Sequence, residues 1–161
     1  MAIRIIVKDP DPVLREPAME VTKFNSNLKK LLKDMAETMY DADGVGLAAP
    51  QVGISKRVIV VDIGDEKGLI EMVNPVIVEE EGEQLGPEGC LSIPNLNGDV
   101  MRSDRIVVKG QNSDGETFTV EAEGFLSRAF QHEVDHLNGI LFTDLAESVY
   151  DISERQKKGG E

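Results

Sequence analysis

A single cysteine among 161 residues excludes any disulfide within the chain, and with it the stapled frameworks of small secreted domains. Basic residues are also scarce: 17 Lys and Arg stand against 30 Asp and Glu, a formal net charge of −13. A nucleic-acid binder meets phosphates with a basic surface, so no direct nucleic-acid recognition is expected. The same charge argues against adhesion to an anionic membrane face. Long apolar runs are missing too, and no window approaches the ~18 consecutive apolar residues of a membrane helix. The first apolar stretch, Ile3–Val7, is interrupted by Arg4 and closed by Lys8, too short for a signal-peptide core. These absences together predict a cytoplasmic protein in a reducing compartment, where a lone thiol persists as a metal ligand or a nucleophile. Repeats, low-complexity tracts and Pro/Gly/Ser-rich linkers are lacking as well, so residues 1–161 are expected to form one domain.

What is present is ample apolar content, 40% of the residues, enough to bury a core. The doublet of prolines in Lys8-Asp9-Pro10-Asp11-Pro12 biases each preceding residue toward extended backbone and keeps the opening out of a helix. Leu28, Leu31, Leu32, Met35 and Met39 recur at helical spacing between Lys and Glu, predicting an amphipathic helix from Asn25 to Asp41 with Asn25 or Ser26 as its cap. Val- and Ile-rich runs at Arg57–Ile63, Glu71–Glu80, Arg105–Gly110 and Thr117–Glu123 read as strands. Asn112-Ser113-Asp114-Gly115 supplies a hairpin turn, which makes its flanking strands antiparallel. Glu79-Glu80-Glu81 reads as a solvated edge or turn. A second helix is expected from Gly124 to Leu137, stopped by Asn138-Gly139. Leu126, Phe130, Val134 and Leu137 share one stripe of it, and His132 and His136 lie off that stripe. A short helix from about Asp144 is expected to fray into a mobile tail. Strands followed by a helix, without regular βαβ alternation, predict an α+β fold of antiparallel sheet packed around the helix that carries the histidines.

The chemistry concentrates in His132-Glu133-Val134-Asp135-His136. Two histidines at i and i+4 share one helical face and can reach one metal ion, while Glu133 is rotated away and free to hold a water. These are the only two histidines in the chain, so chance placement around a glutamate is a poor explanation. A catalytic ion usually takes three protein ligands and keeps a position open. The third comes from Cys90, in Pro87-Glu88-Gly89-Cys90-Leu91-Ser92, or from the downstream carboxylates Glu147 and Glu154; the residues alone favour Cys90. Asp135 has two readings, a partner of Arg102 that steadies the helix or an exposed helical acid.

Three segments, Gly44-Val45-Gly46-Leu47-Ala48-Ala49-Pro50-Gln51, Glu88-Gly89-Cys90-Leu91-Ser92 and Gln131-His132-Glu133-Val134-Asp135-His136, resemble the signature motifs of the peptide deformylases, in the family's order. The spacing fits as well, 39 residues from Gln51 to Cys90 and 42 from Cys90 to His132. The resemblance also takes in Asp11-Pro12-Val13-Leu14-Arg15 and Asn74-Pro75, and is least diagnostic in the variable tail after about residue 145. It implies hydrolysis of the N-formyl group from the formylmethionine of newly made polypeptides, with release of formate. It implies one divalent metal on Cys90, His132 and His136, ferrous iron in the family, with zinc, nickel or cobalt as replacements. By the same resemblance Glu133 is the general acid/base, and Gln51 with the backbone N–H of Leu91 stabilises the oxygen of the attacked carbonyl. The backbone around Gly44, Val45 and Gly46 would pair with an extended substrate, Gly89 is a further substrate-binding candidate, and Val45, Ala129 and the wall of the His132 ring would line an apolar slot for the methionine side chain. Nascent formylmethionyl chains are the implied partners. Any transient ribosome contact would use a local basic patch, with Arg155, Lys157 and Lys158 as candidates.

Overall fold

A computed structural model describes residues 2–152. The first helix, α1 (Ser26–Asp41), is capped by Asn25, whose side chain accepts from the Leu28 N–H at 3.1 Å. Replacing that cap, Asn25→Ala, should cost about 1 kcal/mol in a urea or thermal melt. The chain then enters the short strand β1 (Gly46–Ala48), a 3₁₀ turn (Ala49–Val52), β2 (Val58–Val61) and β3 (Ile70–Glu81). A hairpin follows, β4 (Gln84–Cys90) and β5 (Ile93–Arg102), and a second one, β6 (Arg105–Gln111) and β7 (Thr117–Glu123). Helix α2 (Gly124–Leu137), the one-turn helix α3 (Phe142–Leu145) and β8 (Ser148–Asp151) complete the described elements.

Two antiparallel sheets result, ordered β1-β2-β3-β6-β7 and β4-β5-β8. Alternation along β2 explains its complete burial. Ile59 and Val61 join Leu126, Phe130, Val134 and Leu137 of α2 in one cluster. Val58 and Val60 join Leu28, Leu31, Leu32, Met35 and Met39 of α1 in another, so β2 is covered on both faces by helices. A third cluster, Leu14, Ile93, Val100, Leu141 and Phe142, packs under the three-stranded sheet. The expected apolar stripe of α2 is thus its contact with the larger sheet. Its histidine face is not open to water, because β4 and β5 close over it: His132 is 8% and His136 1% exposed.

Two expectations need correction. The helix expected from Asp144 is instead α3, one turn long, followed by strand β8, because residues 148–151 pair with Leu96–Asp99 of β5. Glu79–Glu81 is solvated but is neither edge nor turn: it pairs with β6, and the Arg105 guanidinium lies between Glu79, Glu81 and Glu121. The expected mobile tail, with Arg155, Lys157 and Lys158, lies outside the described residues. Among the described residues no helix is long and apolar enough to cross a membrane.

Candidate metal centre

Helix α2 and the β4–β5 hairpin together build the site. One helical turn brings His132 Nε2 within 3.2 Å of His136 Nε2. The hairpin reverses through the two-residue turn Leu91-Ser92 and presents Cys90 Sγ 3.3 Å from His136 Nε2. All three donor atoms lie within 4.8 Å of one another. A tetrahedral ion with metal–nitrogen bonds near 2.0 Å and a metal–sulfur bond near 2.3 Å needs donor-to-donor edges of about 3.3–3.6 Å. The donors therefore already stand close to the separations that one ion demands. Of the competing third ligands, Glu147 is exposed and outside this group, and Glu154 falls outside the described residues.

Protonation fits the same conclusion. Glu88 is buried, and burial alone would push its carboxyl up, yet Arg102 and His132 outweigh burial and hold it down at about 2. A carboxylate only accepts, so His132 Nδ1, 2.8 Å from Glu88 Oε1, is the donor of that bond, and Nε2 is the ring nitrogen turned toward His136. Burial opposes charge on His132, but Cys90 and Glu88 outweigh it and raise its pKa well above the usual imidazole value. A cation seated against Sγ would take the place of that proton. Burial holds His136 well below the usual value, leaving it neutral.

Glu88 is the residue that the sequence offered without a role. Arg102 meets it with Nε and Nη2, each at 2.8 Å, and Arg128 meets it with Nη1 at 2.6 Å. Arg102 also reaches Asp135 at 2.5 Å, so the ion-pair reading of Asp135 holds. Arg128 further donates to the carbonyls of Gln84, Gly86 and Val100, tying α2 to both strands of the Cys90 hairpin.

Glu133 packs on β1 and is not one of the three grouped donors. A Cβ at Gly46 would stand 2.4 Å from Glu133 Oε2, so only glycine admits the carboxylate there. Glu133 Oε1 is buried with no protein partner, and burial lifts the carboxyl to about 7. Gln51 is held by its own segment: Oε1 accepts from the Ala48 N–H at 3.0 Å, while Nε2 points to Ser92 Oγ at 3.2 Å and Cys90 Sγ at 3.5 Å. A cavity of about 380 Å³ opens over this cluster. Gly44, Val45, Gly46, Gln51, Gly89, Cys90, Leu91, Ala129, His132 and Glu133 all line it, joined by Glu88, Arg128, Phe125 and Asn97. The Leu91 side chain folds over Gly44, where a Cβ would meet it at 2.8 Å.

Two imidazoles and a thiol close enough to share one ion, with a buried carboxylate lining the same cavity, are the parts a metal-dependent hydrolase needs. The family model of polypeptide deformylase matches residues 3–151. Peptide deformylase 1 of Bacillus anthracis is 58% identical over 96% of this chain and 99% of its own, and that of Bacillus subtilis is 54% identical over 96% of each. The crystal structure of peptide deformylase from Thermotoga maritima superposes with a TM-score of 0.88 at 49% identity, covering 92% of this chain and all of that one. The chain belongs to the polypeptide deformylase family. The reaction of that family is metal-dependent hydrolysis of the N-formyl group of formylmethionyl polypeptides.

Proposed function

We propose that this chain carries out the family reaction with Cys90, His132 and His136 as metal ligands and Glu133 as the acid/base. The single supporting observation of most weight is the convergence of Sγ and two Nε2 atoms from the hairpin and the helix. A bound divalent ion supplies Lewis acidity, lowering the pKa of water from 15.7 toward ~7 and polarising the formyl oxygen. Ferrous iron is our assignment for it, with zinc, nickel or cobalt able to occupy the same mixed sulfur and nitrogen set.

The residues then divide the remaining work. Glu133, buried and near neutrality in its proton affinity, takes a proton from the attacking water and returns it to the departing amine. Charge growing on the formyl oxygen is met by Gln51 Nε2 and the Leu91 N–H, donors fixed before substrate arrives. Glu88, clamped by Arg102 and Arg128, fixes the His132 ring. The strand edge at Gly44, Val45 and Gly46 pairs with the extended peptide, and the methionine side chain enters the apolar part of the cavity beside Val45 and Ala129. All of this is carried by one domain, acting on nascent chains in a reducing bacterial cytoplasm, with any ribosome contact transient.

Formate release from an N-formylmethionyl peptide, in anaerobic buffer with ferrous or nickel ion, tests the reading. Turnover is the expected result, and no release by the metal-loaded protein overturns it. A second check concerns Gly46: Gly46→Ala should displace Glu133 and lower kcat by roughly tenfold or more, without loss of metal.

A further inference from the structure

Asp34 and Thr38 are buried polar residues one turn apart on α1, each 1% exposed, on a helix face otherwise apolar. A buried carboxylate destabilises unless it is paired, and Asp34 pairs with Arg4 and Lys30. Arg4 contributes Nε at 3.1 Å and Nη2 at 2.9 Å to Asp34 Oδ2. Its backbone N–H donates to Thr38 Oγ1 at 2.9 Å, and that hydroxyl donates onward to the Asp34 carbonyl at 2.7 Å. The chain between this anchor and the hairpin is held largely by its backbone, since Ile5 is 88% exposed. The Val7 N–H donates to the Gln51 carbonyl at 2.7 Å, and the Asp9 N–H to the Ser92 carbonyl at 2.9 Å. Gln51 Nε2 and Ser92 Oγ, 3.2 Å apart, close the ring. Residues 4–9 therefore bridge the two segments that carry Gln51 and Leu91, which come from different elements and are also joined by the contacts of Gln51 Nε2 with Ser92 Oγ and Cys90 Sγ.

We propose that residues 4–9 are a positioning strap, anchored through Arg4 on Asp34, that fixes the spacing of the Gln51 amide and the Leu91 N–H for the developing oxyanion. The effect of the strap passes through the two donors. The inference rests on the reading of Gln51 and Leu91 as those donors. It gives the buried Asp34 a role as the anchor of Arg4.

A double-mutant cycle with Arg4→Met and Gln51→Ala in the metal-loaded enzyme separates the two claims. Gln51→Ala should lower kcat by ~10²-fold, the loss of one oxyanion donor. Arg4→Met should lower kcat by roughly tenfold with KM within about twofold, since a displaced donor costs chemistry before it costs binding. In the Gln51→Ala background the same change should lower kcat by clearly less than in the parent, because only the Leu91 donor is then left to misplace. Metal stoichiometry and the visible spectrum of the cobalt form should be the same in all four proteins, and Arg4→Lys should restore part of kcat. A Gln51→Ala loss accompanied by an equal Arg4→Met loss in both backgrounds, or by none, overturns the strap and leaves the donor reading standing. Undiminished kcat in Gln51→Ala overturns both. Should Arg4→Met fail to fold, Thr38→Val removes only the hydroxyl that holds the Arg4 N–H, and the cycle is read in the same way.

Discussion

Glu133→Ala is expected to retain one equivalent of metal and to lose ~10²–10⁴ in kcat, the usual contribution of a positioned acid/base. The two halves of that expectation come from different features. Metal should stay because the Glu133 carboxylate packs on Gly46 and is not one of the three grouped donors. Turnover should fall because Glu88, the other buried carboxylate lining the cavity, is saturated by Arg102, Arg128 and His132. Glu133→Gln, which keeps shape and loses basicity, should be impaired to a similar degree. Formate release with metal analysis of the same samples checks both. Activity near that of the parent in either variant would remove Glu133 from the mechanism.

Glu88→Ala should cause the largest loss of stability, about 3–5 kcal/mol, because it leaves two buried guanidinium groups without their shared counter-charge. Urea unfolding at pH 7 measures it. The pH dependence has a definite sign. Glu88 has a folded pKa of about 2, below its ordinary value of 4.5, so its contribution is complete above the ordinary value and is lost as pH falls toward about 2. Glu88→Gln should therefore be less stable than the parent near neutrality, with the gap narrowing steadily between about pH 5 and pH 2. A gap that stays constant across that range would show that the ion pairs are not what Glu88 contributes.

Helices α1 and α2 were legible in the sequence because each carries an uninterrupted apolar repeat, and the Asn25 cap and the Asn112–Gly115 turn have local chemistry that announces them. Strands β4 and β5 were not. Their sequence contains Gly86, Pro87, Gly89, Pro94, Asn95, Asn97 and Gly98, residues of turns, and Asn95 has a φ of 72°. Pairing across the hairpin, not propensity, makes them strands. Strand β8 is extended for the same reason, since β5 supplies its ladder. At the centre, the i, i+4 histidines are a local signal, and Cys90 stood out as the only thiol. Glu88 could not stand out: its partners lie 14, 40 and 44 residues away, and nothing short-range links them. Gln51, too, gained a role only from its resemblance to a motif, because an amide after a proline is ordinarily a solvated residue.

The central claim is that Cys90 closes the ligand set begun by His132 and His136. Absorption spectroscopy of the cobalt-loaded protein, compared with Cys90→Ser under the same loading, addresses it directly. One equivalent of cobalt with a thiolate-to-metal charge-transfer band in the parent, and loss of that band with much weakened binding in Cys90→Ser, is the predicted result. Full, tight cobalt binding by Cys90→Ser with an unaltered spectrum would contradict it.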